Sequence, residues 1–96
     1  MDFEFYRNFI TVAETGNLTT ASKKLALAQP ALSAQIKTLE HYYGAKLIQT
    51  ARGKRQLTLT EAGEAFLGKA RQICRTEETI LLDMQSFNKK ASGTLR

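Results

Sequence analysis

Apolar residues recur at helical spacing along the start of the chain and cover about half of the helix circumference. They are Phe3, Phe5, Tyr6, Phe9, Ile10, Val12 and Ala13. We expect a helix over residues 2–15 that ends before Gly16. Because one core needs a narrower stripe, this helix is predicted to contact a domain core on one side and another helix on the other.

Two further helices are indicated before residue 44. A short one begins after an N-cap at Asn17 or Thr19 and continues to about Leu25. A longer one begins at Pro30, which is tolerated in a first helical turn, and ends at Tyr43. The apolar stripe of the longer helix consists of Leu32, Ile36, Leu39 and Tyr43. That stripe is only about 60° wide, so most of this helix should be exposed.

The pattern then changes to two short β-prone runs, 47–50 and 56–59, joined by the basic segment 51–55. We expect a hairpin with a basic tip. Thr60 suits the N-cap of a long helix that continues to about Phe87. At ~1.5 Å per residue this helix is ~42 Å long, too long to be buried by the domain before it.

The long helix carries an apolar stripe whose residues are spaced by three and four. We expect it to be a dimer interface formed by Phe66, Leu67, Ala70, Ile73, Cys74, Glu77, Ile80, Leu81, Met84 and Phe87. The alternative is a face folded back onto its own domain. Glu77 interrupts the stripe, and Arg75 of a second chain is a candidate partner for it.

Composition narrows the function classes. The 96 residues, 43% of them hydrophobic, suit one domain and one extra element. The chain has no signal-like start and no apolar run that could span a bilayer, so we expect a cytoplasmic protein without a membrane partner. With Cys74 and His41 as the only cysteine and histidine, neither a metal site nor a catalytic nucleophile–base pair is predicted, and we expect no enzyme.

Charge points to a polyanion. The net charge is +5, and residues 1–60 carry 8 basic and 4 acidic side chains, a net +4. Residues 21–55 contain 7 basic side chains and a single acidic one, Glu40. Such a field attracts phosphates and releases their counterions, although a merely solvated basic surface is the alternative.

Two helices joined by about four residues and followed by a basic hairpin indicate a mainly α fold, a winged helix-turn-helix of three helices and a two-stranded wing. The exposed face of the second helix of this pair would read base edges in a major groove, and the hairpin tip would meet phosphates or a minor groove. The candidate residues are Pro30, Ser33, Ala34, Lys37 and Thr38 on the helix, Gln29 just ahead of it, and Arg52, Lys54 and Arg55 at the tip.

Several segments together resemble the N-terminal domain of LysR-type transcriptional regulators. They include Leu18-Thr19-Thr20-Ala21, Gln29-Pro30-Ala31-Leu32-Ser33 and Leu59-Thr60-Glu61-Ala62-Gly63, and the resemblance covers nearly the whole chain. It implies bacterial, sequence-specific binding of double-stranded DNA. Gln29, Pro30 and Ser33 match the family's base-reading residues, Ala31 lies among them as a further DNA-binding candidate, and backbone contacts are expected near Thr19 and Thr20.

The resemblance also implies an assembly and an organisation along the chain. A homodimer through the long helix, or a tetramer of a full-length protein, would read an interrupted palindrome. We expect a DNA-binding domain at 1–59, a dimerisation helix at 60–88 and a hinge at 89–96 leading to an absent effector-binding domain. That domain would bind a small-molecule effector; no cofactor is expected in this part.

The sequence departs from the family pattern at four positions. Ala34 replaces the usual Arg, Ala28 a frequent Ser or Thr, Ile48 a Phe, and Thr50 an Arg. We expect Arg52 or Arg55 to supply the missing arginine contact. The alternative function is a winged-helix protein-interaction module with an incidental basic patch.

Overall fold

The computed structural model describes residues 2–50 and 56–94, with side chains through Lys89, and contains four helices and a two-stranded antiparallel sheet in this part of the chain. The elements are α1 (Phe3–Thr15), α2 (Leu18–Leu25), α3 (Gln29–Tyr43), β1 (Ile48–Thr50), β2 (Leu57–Leu59) and α4 (Glu61–Thr94). The predicted winged helix-turn-helix is confirmed.

Local capping chemistry sets the helix ends. The Asn17 side chain accepts a 3.0 Å hydrogen bond from the Thr20 N–H, so Asn17 and not Thr19 is the N-cap of α2. Gly16 and Gly44 end α1 and α3 in the left-handed conformation, with φ of 65° and 66°.

The core lies where α1, α2 and α3 meet and is closed by one side chain from the segment before β1 and one from β2. Its buried members are Phe9, Val12, Ala21, Leu32, Ile36, Leu39, Leu47 and Leu57. Beside them, the buried Asn8 Nδ2 donates a 2.7 Å hydrogen bond to Gln35 Oε1, which ties α1 to α3. Leu32, Ile36 and Leu39 of the predicted stripe lie in this core, so only a narrow face of α3 is used, whereas Tyr43, the fourth member of that stripe, is 44% exposed.

One aromatic residue of α4 joins the long helix to α1 and α3. The Phe66 ring packs edge-on against Phe9 with centroids 4.9 Å apart, and lies 5.9 Å from the Tyr6 ring and 5.2 Å from the Tyr43 ring. The Tyr6 and Tyr43 hydroxyls share a hydrogen bond, which is the main reason that the pKa of Tyr43 is raised to about 12. Thus α1 contacts the core of the three-helix unit on one side and α4 on the other, as the width of its apolar stripe predicts.

The first turn of α4 is fixed to the residues that precede β1. The Thr60 Oγ1 donates to the Lys46 carbonyl at 2.6 Å and accepts from the Gly63 N–H at 2.9 Å, while the Thr60 N–H donates to the Leu47 carbonyl at 3.0 Å. A Cβ at residue 63 would lie 2.0 Å from the Leu47 oxygen. The contact therefore requires glycine.

The long helix extends further than the sequence predicts. The helix was expected to end near Phe87 and a linker was expected at 89–96, but the backbone is helical to Thr94. The segment contains no proline, and serine and glycine weaken a helix without ending it. The described chain is 64 Å in its longest dimension and 26 Å in the next, because α4 projects beyond the three-helix unit. A domain division at residue 88 stays a prediction.

We predict opposite effects of adding one methyl group at two glycines of α4. Gly63→Ala should lower the free energy of unfolding by about 2 kcal/mol, because the new Cβ overlaps backbone. Gly68→Ala should raise it by about 1 kcal/mol, because that position has open space and alanine favours a helix. Urea unfolding of both variants at one protein concentration measures this, and equal shifts would contradict the close approach.

Candidate nucleic-acid interface

A tight turn sets α3 against α2. Ala26 ends α2 in the left-handed conformation, at φ 55°, and its N–H points back to the carbonyls of Ser22 and Lys23. The Leu27 N–H donates to the Ser22 carbonyl at 2.9 Å. These bonds satisfy the end of α2 within three residues, so α3 begins at Gln29 immediately afterwards.

The sequence-predicted residues of α3 form one accessible surface around its N-terminal half. Opposite the buried stripe, the exposed residues are Pro30, Ala31, Ala34, Lys37 and Thr38, and Gln29 is exposed at the first position of the helix. Ser33 is half-buried at the edge of this surface. The Thr38 Oγ1 donates to the Ala34 carbonyl at 2.9 Å, so its proton is used within the helix. Because Ala34 carries only a methyl group, no long side chain projects from the middle of this face.

The start of α2 lies beside the start of α3. Thr20 is exposed and Thr19 is half-buried, and the Thr19 Oγ1 donates a 3.2 Å hydrogen bond to Gln29 Oε1. The structure thus brings together the two threonines and the N-terminal residues of α3.

A groove between α3 and β1 extends this surface towards the wing. It has a volume of about 390 Å³, and its walls include Ser33 and Lys37 from α3 and Lys46, Gln49 and Thr50 from the start of the wing. Lys46, Gln49 and Thr50 were not among the candidates from the sequence. A signal existed for Lys46, which is one of the basic residues of the 21–55 segment.

Glu40 fastens the wing to α3. Its Oε2 accepts hydrogen bonds from the Leu47 N–H at 2.8 Å and from the Ile48 N–H at 3.3 Å. The sequence showed Glu40 only as the single acid in a basic segment. Its carboxylate accepts from backbone N–H groups at the start of the wing. Within the described residues it forms no ion pair with Lys37 or Lys46.

The wing strands are in register over their whole length, with Ile48 opposite Leu59 and Thr50 opposite Leu57. The Leu57 N–H also donates to the Gly16 carbonyl at 2.9 Å, which holds β2 against the end of α1. The predicted tip residues Arg52, Lys54 and Arg55 lie outside the described residues.

The surface around α2 and α3 is basic. The exposed side chains of Lys23, Lys24, Lys37 and Lys46 make no ion pair with an acidic group of the described residues. The ion pairs in residues 2–50 and 56–89 join α1 to α4: Arg7 to Glu77 at 3.1 Å, and Arg71 to Glu14 at 3.2 Å. Hence the positive charge beside α3 is available to a ligand.

The predicted dimer stripe is divided into two parts. Towards the start of α4, Ala70 is fully buried and Phe66 and Leu67 pack against the core of the same chain. Ile73 and Cys74 are half-buried, and burial raises the pKa of the Cys74 thiol. Glu77, for which Arg75 of a second chain was considered, pairs with Arg7 of its own chain instead.

The far part of the stripe is uncovered. Ile80, Leu81, Met84 and Phe87 are 50 to 64% exposed. The alternative of a face folded back onto its own domain therefore holds for the near part alone.

The described residues contain no cluster of three or more potential metal ligands of the His, Cys, Asp and Glu types. In the same part of the chain, no helix combines the length and the apolar character needed to cross a membrane.

Comparison with known proteins places this geometry in context. Residues 3–64 match the family model described as "Bacterial regulatory helix-turn-helix protein, lysR family". The chain is 40% identical over 95 residues to the HTH-type transcriptional regulator BsdA of Bacillus subtilis (strain 168), covering 99% of this chain and 32% of BsdA. It is 42% identical over 82 residues to the Hca operon transcriptional activator HcaR of Escherichia coli (strain K12), covering 85% of this chain and 27% of HcaR.

Solved structures of DNA-binding domains bound to DNA share this fold. The chain superimposes on the CbnR_DBD–DNA complex with a TM-score of 0.83 at 35% identity, covering 90% of this chain and 97% of the other. For the BenM_DBD/benA site 1 DNA complex the TM-score is 0.82 at 31% identity, covering 91% and 99%. The chain spans about a third of BsdA and somewhat less of HcaR.

We predict that Glu40→Ala loosens the start of the wing. Two N–H groups, of Leu47 and Ile48, would lose their acceptor, so hydrogen exchange at these amides should accelerate and stability should fall by about 1–3 kcal/mol. Glu40→Gln should keep most of the protection, since an amide oxygen can accept the same bonds. The control is His41→Ala, an exposed neighbour; unchanged exchange in Glu40→Ala would contradict the role.

Proposed function

The chain belongs to the lysR family of bacterial regulatory helix-turn-helix proteins, and on this premise we propose that it binds an operator half-site as the DNA-binding part of a transcriptional regulator. One observation carries the proposal. The accessible face of α3 is polar or short, has no packing partner among the described residues, and is flanked by lysines that no described acidic group neutralises.

Residues in the N-terminal half of α3 would contact the base edges. A helix about 10–12 Å across fits the major groove, which is about 12 Å wide. Gln29 can bond adenine through its amide, and the Ser33 hydroxyl can meet either kind of base. Pro30, Ala31 and Ala34 suit contact with a thymine methyl group, since short apolar side chains let the helix approach the groove floor closely.

Phosphate contacts fix the register. Lys37 and Lys46 lie on the walls of the groove between α3 and β1, and Thr20 lies at the start of α2 beside Thr19. Lys37, Lys46 and Thr20 can bind the DNA backbone on either side of the inserted helix. Arg52, Lys54 and Arg55 would extend the contact from the wing tip to the backbone or the minor groove.

A second copy of the chain would cover the exposed part of α4. Ile80, Leu81, Met84 and Phe87 present an apolar stripe that is at least half exposed, and burying it against a two-fold related stripe removes that surface from water. Two copies related in this way would read an interrupted palindrome, because the symmetry of the DNA must match that of the protein.

The remaining part of such a regulator would follow α4. BsdA and HcaR are about three times as long as this chain, which leaves room for an effector-binding domain that takes a small molecule. A regulator that reads bacterial DNA works in the cytoplasm.

We predict that DNA binding depends steeply on salt and that Lys46 contributes one phosphate contact. Lys46→Ala should weaken binding to every duplex by a similar factor and reduce the slope of log affinity against log salt by about 1. The measurement is anisotropy of a labelled duplex at several KCl concentrations. Lys69→Ala, an exposed lysine of α4, is the matched control. A protein-interaction module would show no preference for duplex at any salt concentration.

We predict that Ile80→Asp gives monomers, because a carboxylate in an apolar interface has no partner to offset its desolvation. Leu82→Asp is the control: Leu82 is equally apolar and exposed, but at about 100° per residue it lies on the opposite side of α4. Sedimentation equilibrium separates the two variants. A dimer that survives Ile80→Asp and dissociates in Leu82→Asp would place the interface on the other face.

A further inference from the structure

A single side-chain hydrogen bond within the described residues joins α2 to α3. The Thr19 Oγ1 donates to Gln29 Oε1 at 3.2 Å. Each residue lies in the first turn of its helix, at the edge of the surface that faces the proposed DNA. The bond therefore links a residue of the supporting helix to a base-reading residue of the inserted helix.

Thr19 is the better anchored of the two. The buried Ser22 donates its hydroxyl to the Thr19 carbonyl at 2.8 Å, and the Asn17 cap holds the next N–H, that of Thr20. Thr19 itself is half-buried. Its hydroxyl thus extends from a backbone that is fixed by its neighbours on both sides.

Gln29, by contrast, is exposed, and the bond from Thr19 is the contact that restrains its side chain. An amide oxygen has two acceptor positions and the amide nitrogen two donors. Thr19 occupies one acceptor position, so one acceptor and both donors remain. An acceptor beside a donor matches the major-groove edge of adenine: the amide oxygen can accept from the N6 amino group, and the amide nitrogen can donate to N7.

We propose that Thr19 is a positioning residue that holds the Gln29 amide for an adenine edge in the major groove. The proposal rests on the proposed function, because it assumes that α3 enters that groove. A side chain ordered before binding loses less conformational freedom when it binds. The hydroxyl should therefore affect discrimination at the base pair that Gln29 reads, and nowhere else.

The experiment measures discrimination by variants of the 96-residue chain. The probe is the duplex that the wild-type chain prefers, together with duplexes in which each base pair is replaced in turn. Gln29→Ala identifies the pair that Gln29 reads, which we expect to be A·T. Thr19→Val should then reduce discrimination at that same pair by about three- to tenfold, the range of one hydrogen bond. Binding to a random duplex should stay within about twofold.

Two controls separate positioning from a structural effect or a phosphate contact. Thr19→Ser keeps the hydroxyl and should restore discrimination. Thr20→Val removes a proposed backbone contact, so it should weaken binding to all duplexes alike and leave discrimination at that pair unchanged, because no hydrogen bond of the described residues joins Thr20 to Gln29. In the Gln29→Ala background, Thr19→Val should have no further effect on that pair.

Each alternative result is decisive. If Thr19→Val weakens all duplexes equally and leaves discrimination intact, the hydroxyl binds phosphate and the inference is overturned. The same holds if the two substitutions are additive. A wild-type chain that binds every duplex equally would instead refute base reading by α3, and the inference with it.

Discussion

The packing of the first turns of α4 against the three-helix unit is the contact on which the rest of the arrangement depends. Gly63 lies against the Leu47 carbonyl, and Phe66 fills the space between α1 and α3. Because neither contact can shift without overlap or a cavity, α4 leaves the unit in one direction. In a dimer joined through α4, that direction would set the distance between two copies of α3, and so the spacing of the half-sites.

A second constraint is how little of α3 the core uses. Leu32, Ile36 and Leu39 are buried and Gln35 bonds to Asn8 of α1, while Pro30, Ala31 and Ala34 on the other side of the helix are exposed. The charged groups near α3 are divided in a similar way. Glu40 is engaged with wing N–H groups, while Lys37 and Lys46 stay exposed on the groove beside it. The fold therefore satisfies its own polar groups and leaves a basic, hydrogen-bonding surface outside.

Features that depend on local chemistry could be predicted from the sequence, and features that depend on a choice of neighbour could not. Periodicity together with Gly16 and Gly44 was enough to place α1, α2 and α3, although the N-cap of α2 was left open between Asn17 and Thr19. Periodicity does not say what covers a stripe, so the division of the α4 stripe between α1 and an exposed part was missed, as was the pairing of Glu77 with Arg7. The extension of α4 to Thr94 and the Thr19 contact with Gln29 likewise depend on contacts and helix propagation that spacing does not encode.

In the proposed dimer, two copies of α3 are held apart by paired α4 helices and together read DNA. Selecting bound duplexes from a random pool with the 96-residue chain, and sequencing them, measures this arrangement. We expect enrichment of two inverted copies of a short element at one fixed separation, with an A·T pair under strong selection in each copy. Enrichment of single, unpaired elements, or a bound pool as random as the input, would contradict it.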